Sequence, residues 1–354
     1  MGSKKIILFC HTGLSTFVQT DLDLLLEEYE VIPYHYKLGK SKMMKFVNII
    51  SSFFFALKWV RKVDVVYVWF GGYHGFFPVL MAKMLKKKTV ITVGGYDAVN
   101  IPSIKFGVFY QNDFLTWCIK KQYQWANYIL PVDESLEKSI NYYADPSGFG
   151  YLNGIRNFVE TKAKITTVPF GYDDMKFQRN IKVVKKNAVI SVGCATTEQV
   201  FRRKGFDLVI DVAIEMPEIP FTLIGISKKL QNVYEKRIPS NVTIYDFLDH
   251  GAIIDLLSAH RVFLQLSLSE GLPNTLCEAM LCECIPIGSD VNGIPKAIGD
   301  TGYILKEKKV EILKELIKEA LSLDDNFGIK ARERISKMFP LKRRIASLKA
   351  IIEN

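Results

Sequence analysis

Cysteine is scarce in this sequence, and what there is stands scattered. Cys10, Cys118, Cys194, Cys277, Cys282 and Cys284 are the six among 354 residues. None has zinc spacing with a nearby histidine, and Cys282 and Cys284 fall in a stretch that reads as core helix. The pattern excludes a disulfide framework and predicts reduced thiols in a cytoplasmic protein. Acidic residues are short as well, with 37 Asp and Glu against 47 Lys and Arg and a net charge of +10. The imbalance is concentrated early: residues 1–170 hold 20 basic against 13 acidic side chains. An excess of that sign favours an anionic partner, which means a membrane surface, a nucleic acid or a phosphorylated substrate. Nucleic acid is set aside, because no recognised nucleic-acid motif accompanies the charge. No close internal repeat and no low-complexity segment is evident. Met1-Gly2-Ser3-Lys4-Lys5 leads straight into the apolar Ile6–Phe9, so no signal peptide is expected.

What is present is apolar material for two ordinary domains, at 49% of the residues. Short apolar runs alternate with amphipathic stretches. Lys5–Phe9, Val63–Phe70, Thr89–Val93, Tyr128–Val132 and Ile165–Val168 read as strands; Thr16–Glu28, Phe76–Leu85 and Glu134–Tyr142 read as helices. The rhythm then restarts. Strands are predicted at Ala188–Val192, Phe221–Ile224, Val242–Tyr245, Val262–Leu266 and Ile285–Ile287. Between them come helices at Phe206–Glu215, Ala252–His260 and Thr275–Cys282. Alternation of this kind predicts parallel, doubly wound sheets, here two Rossmann-like halves meeting near Pro169–Asp173. We expect an α/β chain with one half over 1–170, a second over 171–335 and a basic C-terminal helix over 336–354. The natural ligand site is the cleft between the halves.

Four segments would meet there. The most informative runs from Ser267 to Glu278, with Glu270 and Glu278 flanking a Gly271-Leu272-Pro273-Asn274-Thr275 turn. A strand that ends in a turn and opens a helix offers free N–H groups and a helix dipole to a phosphate. A carboxylate on each side could hold hydroxyls, which suits a nucleotide-sugar. The second segment is Arg202-Arg203-Lys204-Gly205, a basic cluster before a helix, where an anion would relieve repulsion from the positive helix end. The third is the turn after the first strand, where Gly13 permits close backbone approach; the fourth is the Asp246-Phe247 turn, placed to meet a base. Read blandly, each is a turn or a solvated basic loop, and the weight comes from finding them together. Asp21-Leu22-Asp23 has the D-x-D form of a metal motif. It lies inside a predicted helix, so it is read as a solvated helical face and no metal is expected.

At this point the chain resembles the retaining family 4 glycosyltransferases of the GT-B fold. The likeness rests on Ser267-Leu268-Ser269-Glu270-Gly271 with Glu278-Ala279-Met280, and on Arg203-Lys204-Gly205-Phe206-Asp207. Val168-Pro169-Phe170-Gly171-Tyr172-Asp173 with Phe177, Ile224-Gly225 and Ile287–Gly293 also fall in the family's order. The first half matches mainly in rhythm and in its glycine turns. The resemblance implies two Rossmann-like domains facing across a cleft, with the C-terminal helix packing back on the first. It implies that Arg203 and Lys204 grip a donor diphosphate, that the backbone of Gly271–Thr275 holds the same group, and that Gly13 lines it from the opposite half. Glu270 would contact donor-sugar hydroxyls and Glu278 the ribose, with retention and no metal or other cofactor. Two departures stand out. Gly193-Cys194 replaces a Gly-Arg pair, with Arg202 the candidate substitute. Gly94-Gly95-Tyr96-Asp97 lacks the family's histidine, leaving Asp97 or His74 to meet the acceptor hydroxyl. The implied partners are a UDP- or GDP-linked sugar and a saccharide or lipid-linked acceptor, in cell-surface polysaccharide or glycolipid assembly. A nucleotide-sugar epimerase of related fold and a non-catalytic nucleotide-sugar-binding protein are the alternatives.

Met43–Val60 carries one wide apolar stripe, Met43, Phe46, Val47, Ile50, Phe53, Phe54, Leu57 and Val60, which we expect to pack on the sheet. Opposite it lie Met44, Phe55 and Trp59 beside Lys45 and Lys58, the pattern of an interfacial helix on an anionic membrane surface. The stretch between the two lysines is too short to span a bilayer, which needs about 20 residues. Ile104–Trp117 adds Phe106, Phe109, Tyr110, Phe114 and Trp117 without strong periodicity. The two readings are an enzyme peripheral on the inner face of the cytoplasmic membrane and a soluble enzyme with an aromatic acceptor groove.

Overall fold

A computed structural model describes residues 4–37, 39 and 41–354, with Lys42 and Lys45 described by their backbone alone. The first half begins β1 (Ile6–His11), α1 (Thr16–Glu28), β2 (Glu30–His35), α2 (Lys42–Trp59), β3 (Val65–Trp69), α3 (Tyr73–Met84) and β4 (Lys88–Val93). It continues with α4 (Val108–Gln111), α5 (Phe114–Trp125), β5 (Tyr128–Pro131), β6 (Ser139–Asn141), β7 (Tyr151–Asn153) and β8 (Lys164–Ile165). The second half runs β9 (Lys186–Ala195), α6 (Glu198–Arg203), α7 (Phe206–Ile214), β10 (Phe221–Ile226), α8 (Lys228–Tyr234), β11 (Val242–Tyr245) and α9 (His250–Ala259). Then come β12 (His260–Gln265), α10 (Asn274–Leu281), β13 (Ile285–Ser289), α11 (Ile294–Ile298) and β14 (Tyr303–Leu305). Three helices close the chain: α12 (Val310–Ser322), α13 (Asp325–Met338) and α14 (Leu341–Glu353).

Two six-stranded sheets result, ordered β2-β1-β3-β4-β5-β8 and β11-β10-β9-β12-β13-β14. Every neighbouring pair in both is parallel. Parallel strands covered by helices on both faces are buried throughout, which is why Ile7–Cys10, Val65–Trp69 and Val262–Leu264 are unbroken apolar runs. β2 escaped the sequence reading. It is an edge strand with only partial burial, and it carries Pro33; a proline is tolerated there because one side of the strand needs no partner.

Three expectations are corrected. Glu134–Tyr142 is not a helix. Asp133 caps a single turn, and the chain then enters β6, which pairs antiparallel with β7. Buried Asn141 donates to Leu268 O at 2.8 Å and accepts from Ala144 N, so a contact with the other half overrides the local helical pattern.

The second correction concerns α2, whose expected stripe turns inward only towards its end, with Val60 fully buried and Phe53 and Leu57 half-buried. From the other side Ser52 and Ala56 are fully buried, and Phe55 turns inward to stack on Tyr34 with ring centroids 4.0 Å apart. Trp59 is half-buried against Phe55 and carries Lys58 and Lys62 over its ring. The stripe of Met43, Phe46, Val47, Ile50 and Phe54 faces out. Small Ser52 and Ala56 let the helix lie close to the sheet, which an apolar count alone could not weigh. Met44 stays exposed, and the side chain of Lys45 lies outside the described residues. No helix among the described residues is long and apolar enough to cross a membrane.

The third correction is Asp21. It is wholly buried, not part of a solvated face, and Arg344 of α14 pairs with it bidentately, Nη2 to Oδ2 at 2.6 Å. Trp69 Nε1 and the Tyr67 hydroxyl donate to the same carboxylate. Arg344 also donates to the carbonyls of Val168 and Pro169. The C-terminal helix is thereby fastened to the first sheet and to the segment that leaves it after β8.

Candidate functional site

The carboxyl ends of the two sheets face each other, and a cavity of about 530 Å³ lies between them. Its floor is a backbone contact between the halves. A Cβ on Gly271 would stand 2.6 Å from Gly94 O and 2.7 Å from Val132 Cγ2, so only glycine allows this approach. Further bonds tie the halves around it: Asn292, which accepts from Glu270 N within the second half, donates through Nδ2 to Ser135 Oγ of the first, and Gln199 Nε2 donates to the carbonyls of Ile104 and Lys105.

One wall is the loop from β12 into α10. Lys204 Nζ donates to Glu270 Oε1 at 2.6 Å, and Ser267 Oγ donates to the same oxygen at 2.8 Å. Arg203 Nη1 stands 3.6 Å from it and donates to Ser269 O at 3.1 Å, with its guanidinium 4.9 Å over the Phe106 ring. Gln265 holds Ser267 at 2.8 Å and accepts from Thr275 Oγ1 at 3.1 Å, which locks the loop to the helix. Burial alone would raise the Glu270 carboxyl, but Lys204 and Arg203 hold it below its ordinary value. Burial lowers Lys204 from its usual value, opposed by Glu270. The group is therefore a compact, charged unit whose Glu270 Oε2 makes none of these bonds.

Glu278 sits on the second turn of α10 and lines both this cavity and a smaller one of about 220 Å³ beside α1. Burial pushes its carboxyl up to about 7, with Lys176 acting in the other direction. The first amides of α10 and of α1 have no side-chain cap. Both helix starts line the cavity, so two positive dipole ends converge on it from opposite halves. Among the described residues, no group of three or more His, Cys, Asp and Glu is placed to hold a metal ion.

Of the residues read from sequence, Arg203, Lys204, Glu270, Gly271, Leu272, Pro273, Asn274, Thr275 and Glu278 line the one cavity. Ser267 lies buried behind Glu270. Three are elsewhere. Gly13 is exposed with open space around it, and Ser15, Thr16 and Phe17 take the lining position. Arg202 pairs with Glu198 at 2.8 Å and lines a separate cavity of about 620 Å³, so it does not stand in for an arginine after Gly193. Phe247 is exposed and outside the lining; His250 and Ile253 stand there instead. His250 was findable, since Asp249 caps α9 through Ala252 N and an Asp cap starts the helix earlier than predicted. Cys194 and Phe170 entered the sequence reading only as parts of the Gly193-Cys194 and Val168–Asp173 segments, and Phe70 only as the end of a strand; all three line the cavity.

Asp97 and His74 line a neighbouring cavity of about 540 Å³, walled also by Tyr36, Tyr73 and Leu115. Phe70 and Tyr96 belong to both cavities, so the two adjoin. Asp97 is buried and fully engaged: it accepts from the amides of Gly71, Gly94 and Gly95 and from the Tyr123 hydroxyl. Burial raises its carboxyl and these bonds pull it back. Its work is to tie two glycine turns together rather than to face a hydroxyl. His74 Nε2 is 2.9 Å from Trp69 O, which requires the proton on Nε2 and leaves Nδ1 as the lone-pair nitrogen. Burial holds its pKa at about 4, so the ring is neutral at neutral pH.

Comparison with known proteins agrees with this architecture. Residues 174–338 match the family profile "Glycosyl transferases group 1". The chain is 24% identical over 169 residues to a phosphatidylinositol N-acetylglucosaminyltransferase subunit of Arabidopsis thaliana, covering 46% of this chain and 37% of that protein. It is 27% identical over 139 residues to the Homo sapiens protein of the same name, covering 37% and 29%. The match thus spans well under two thirds of either relative. Among solved structures, sucrose-phosphate synthase from Thermosynechococcus elongatus superposes with a TM-score of 0.73 at 13% identity, covering 99% of this chain and 98% of that one. Anabaena HepE, solved with UDP and glucose, gives 0.72 at 12% identity, covering 99% and 100%. The fold is GT-B, and residues 174–338 within it carry the glycosyl transferases group 1 profile.

Proposed function

We propose that the chain transfers a sugar from a UDP- or GDP-linked donor to a hydroxyl of a saccharide or lipid-linked acceptor, with retention and without a metal ion. The observation that carries this reading is the Arg203–Lys204–Glu270 unit beside the uncapped start of α10, facing the uncapped start of α1. As the C1–oxygen bond breaks, its electron pair goes to the departing diphosphate. Preorganised cations and amides stabilise that charge, and Arg203, Lys204 and the two helix starts are the groups in place for it. The proposal is metal-independent on that ground. Glu270 Oε1 is taken by Lys204 and Ser267, which leaves Oε2 for a sugar hydroxyl, and the route is the front-face one that the family resemblance implies. In that route the acceptor oxygen bonds C1 on the face the diphosphate leaves, and the acceptor proton passes to the departing phosphate oxygen. Glu278 receives the ribose hydroxyls, and the adjoining cavity at Tyr36, Tyr73 and His74 takes the acceptor. The UDP held by HepE and by TarM of S. aureus favours a UDP-linked donor.

Thermal-shift screening with UDP-, GDP- and ADP-sugars identifies the donor, since a ligand stabilises by the logarithm of its saturation. Lys204→Ala and Glu270→Ala should each slow transfer by well over ~10-fold, with the anomeric configuration of the product kept. Near-normal turnover in both variants removes the assignment.

A further inference from the structure

Helices α2, α3 and α5 pack side by side over the first sheet and are 18, 12 and 12 residues long. Together they contain six lysines and no aspartate or glutamate. From residue 41 to residue 125 the sequence has 12 Lys and Arg against 3 Asp and Glu, so nearly all of the chain's net +10 resides in the segment that builds this layer. One of those three acids, Asp97, is buried.

The same layer displays large apolar side chains. Met43 is 75% exposed, Phe46 64%, Phe54 63% and Phe114 60%. The rings form a connected series across the three helices. Phe54 meets Phe53, Phe53 meets Phe77 at 5.3 Å, and Phe76 meets Trp117 at 5.5 Å. Trp117 stacks on Phe114, whose ring is 6.1 Å from Tyr73. Tyr73 and Leu115 line the cavity that holds His74, so the aromatic series, exposed at Phe54, Phe114 and Trp117 and half-buried between them, runs to the wall of that cavity.

We propose that this face docks on an anionic lipid bilayer. A helix facing water normally alternates charges of both signs, as α13 does here. A layer that sets protruding Phe, Trp and Met beside exposed Lys58 and Lys83, with no acid within its helices and exposed Asp113 only at the start of α5, has the chemistry of the boundary between headgroups and acyl chains. There the rings enter the apolar region and the ammonium groups reach lipid phosphates. Resting on the transfer reading above, docking by this face sets the His74 cavity at headgroup level, and its occupant is an amphipathic lipid whose polar head enters past Tyr73.

The test is flotation of the full chain with vesicles of phosphatidylcholine mixed with phosphatidylglycerol, at low and high salt, against phosphatidylcholine alone. Binding should require the anionic lipid and weaken with salt. The triple variant Phe46→Ser, Phe54→Ser, Phe114→Ser should bind roughly tenfold or more weakly with unchanged thermal melting, since all three rings are mostly exposed. The proposal fails if the parent does not float at low salt or if the triple variant floats equally well. It fails too if the parent is a dimer that the triple substitution dissociates, which would make the face a contact between copies. The transfer reading is scored separately, by thermal shift with the UDP-, GDP- and ADP-sugars on the same preparations. A chain that floats without binding a nucleotide-sugar overturns the transfer reading and leaves the docking intact.

Discussion

Glu270 and Glu278 flank the same turn, yet their surroundings hold them in opposite protonation regimes. Glu270 is kept ionised by Lys204 and Arg203, whereas Glu278 has burial raising it to about 7 and only Lys176 acting against it. The sign for stability follows. The folded chain holds a proton on Glu278 that the unfolded chain releases near 4.5, so this contribution is fully present at low pH. It is lost as pH rises towards about 7. Donor binding should run the other way, because ribose hydroxyls donate to a carboxylate. UDP-glucose, whose diphosphate does not titrate in this range, should bind more tightly as pH rises through about 7. Glu278→Gln should flatten that profile in calorimetric titrations; a profile equally steep in the variant would detach Glu278 from the ribose. Both glutamates were legible because their spacing lies within one loop and one helix turn. Gly13, Arg202 and Phe247 were assigned by position along the chain, and side-chain direction then took Arg202 and Phe247 away from the cleft.

At the scale of elements, the approach of the Gly94-Gly95 turn to the start of the Glu270 loop decides how closely the halves meet. Gly271→Ala places a methyl 2.6 Å from Gly94 O and wedges that contact open. We expect transfer to fall by about tenfold or more, in keeping with the cost of a misplaced reacting group, with little change in melting temperature. Small-angle scattering should report a larger radius of gyration; an unchanged radius with full activity would show that the contact can yield. Strand-helix alternation revealed most of the elements, because buried parallel strands are apolar throughout. Periodicity failed for α2, which is apolar almost all round; the inward face there was chosen by small Ser52 and Ala56 rather than by hydrophobicity. It failed again at Glu134–Tyr142, where Asn141 bonds to the backbone of the other half.

For the whole molecule, the Asp21–Arg344 pair joins residues more than three hundred positions apart, with Asp21 fully buried and Arg344 2% exposed. Removing one member leaves an uncompensated buried charge. Arg344→Met should therefore cost about 3–5 kcal/mol in urea unfolding, and Arg344→Met combined with Asp21→Leu should recover part of it. If the single variant is as stable as the parent, α14 is held by packing alone. The sequence by itself determined the class of fold, the Arg203–Lys204–Glu270 charges and the existence of a cleft, because these rest on local periodicity and on motifs confined to one loop and one helix start. The tertiary structure alone decided that Asp21 is a buried clasp, that Asp97 ties glycine turns and which face of α2 meets solvent. Each of those depends on a partner brought in from a distant part of the chain, and burial, not residue type, sets what a charged or apolar side chain does there.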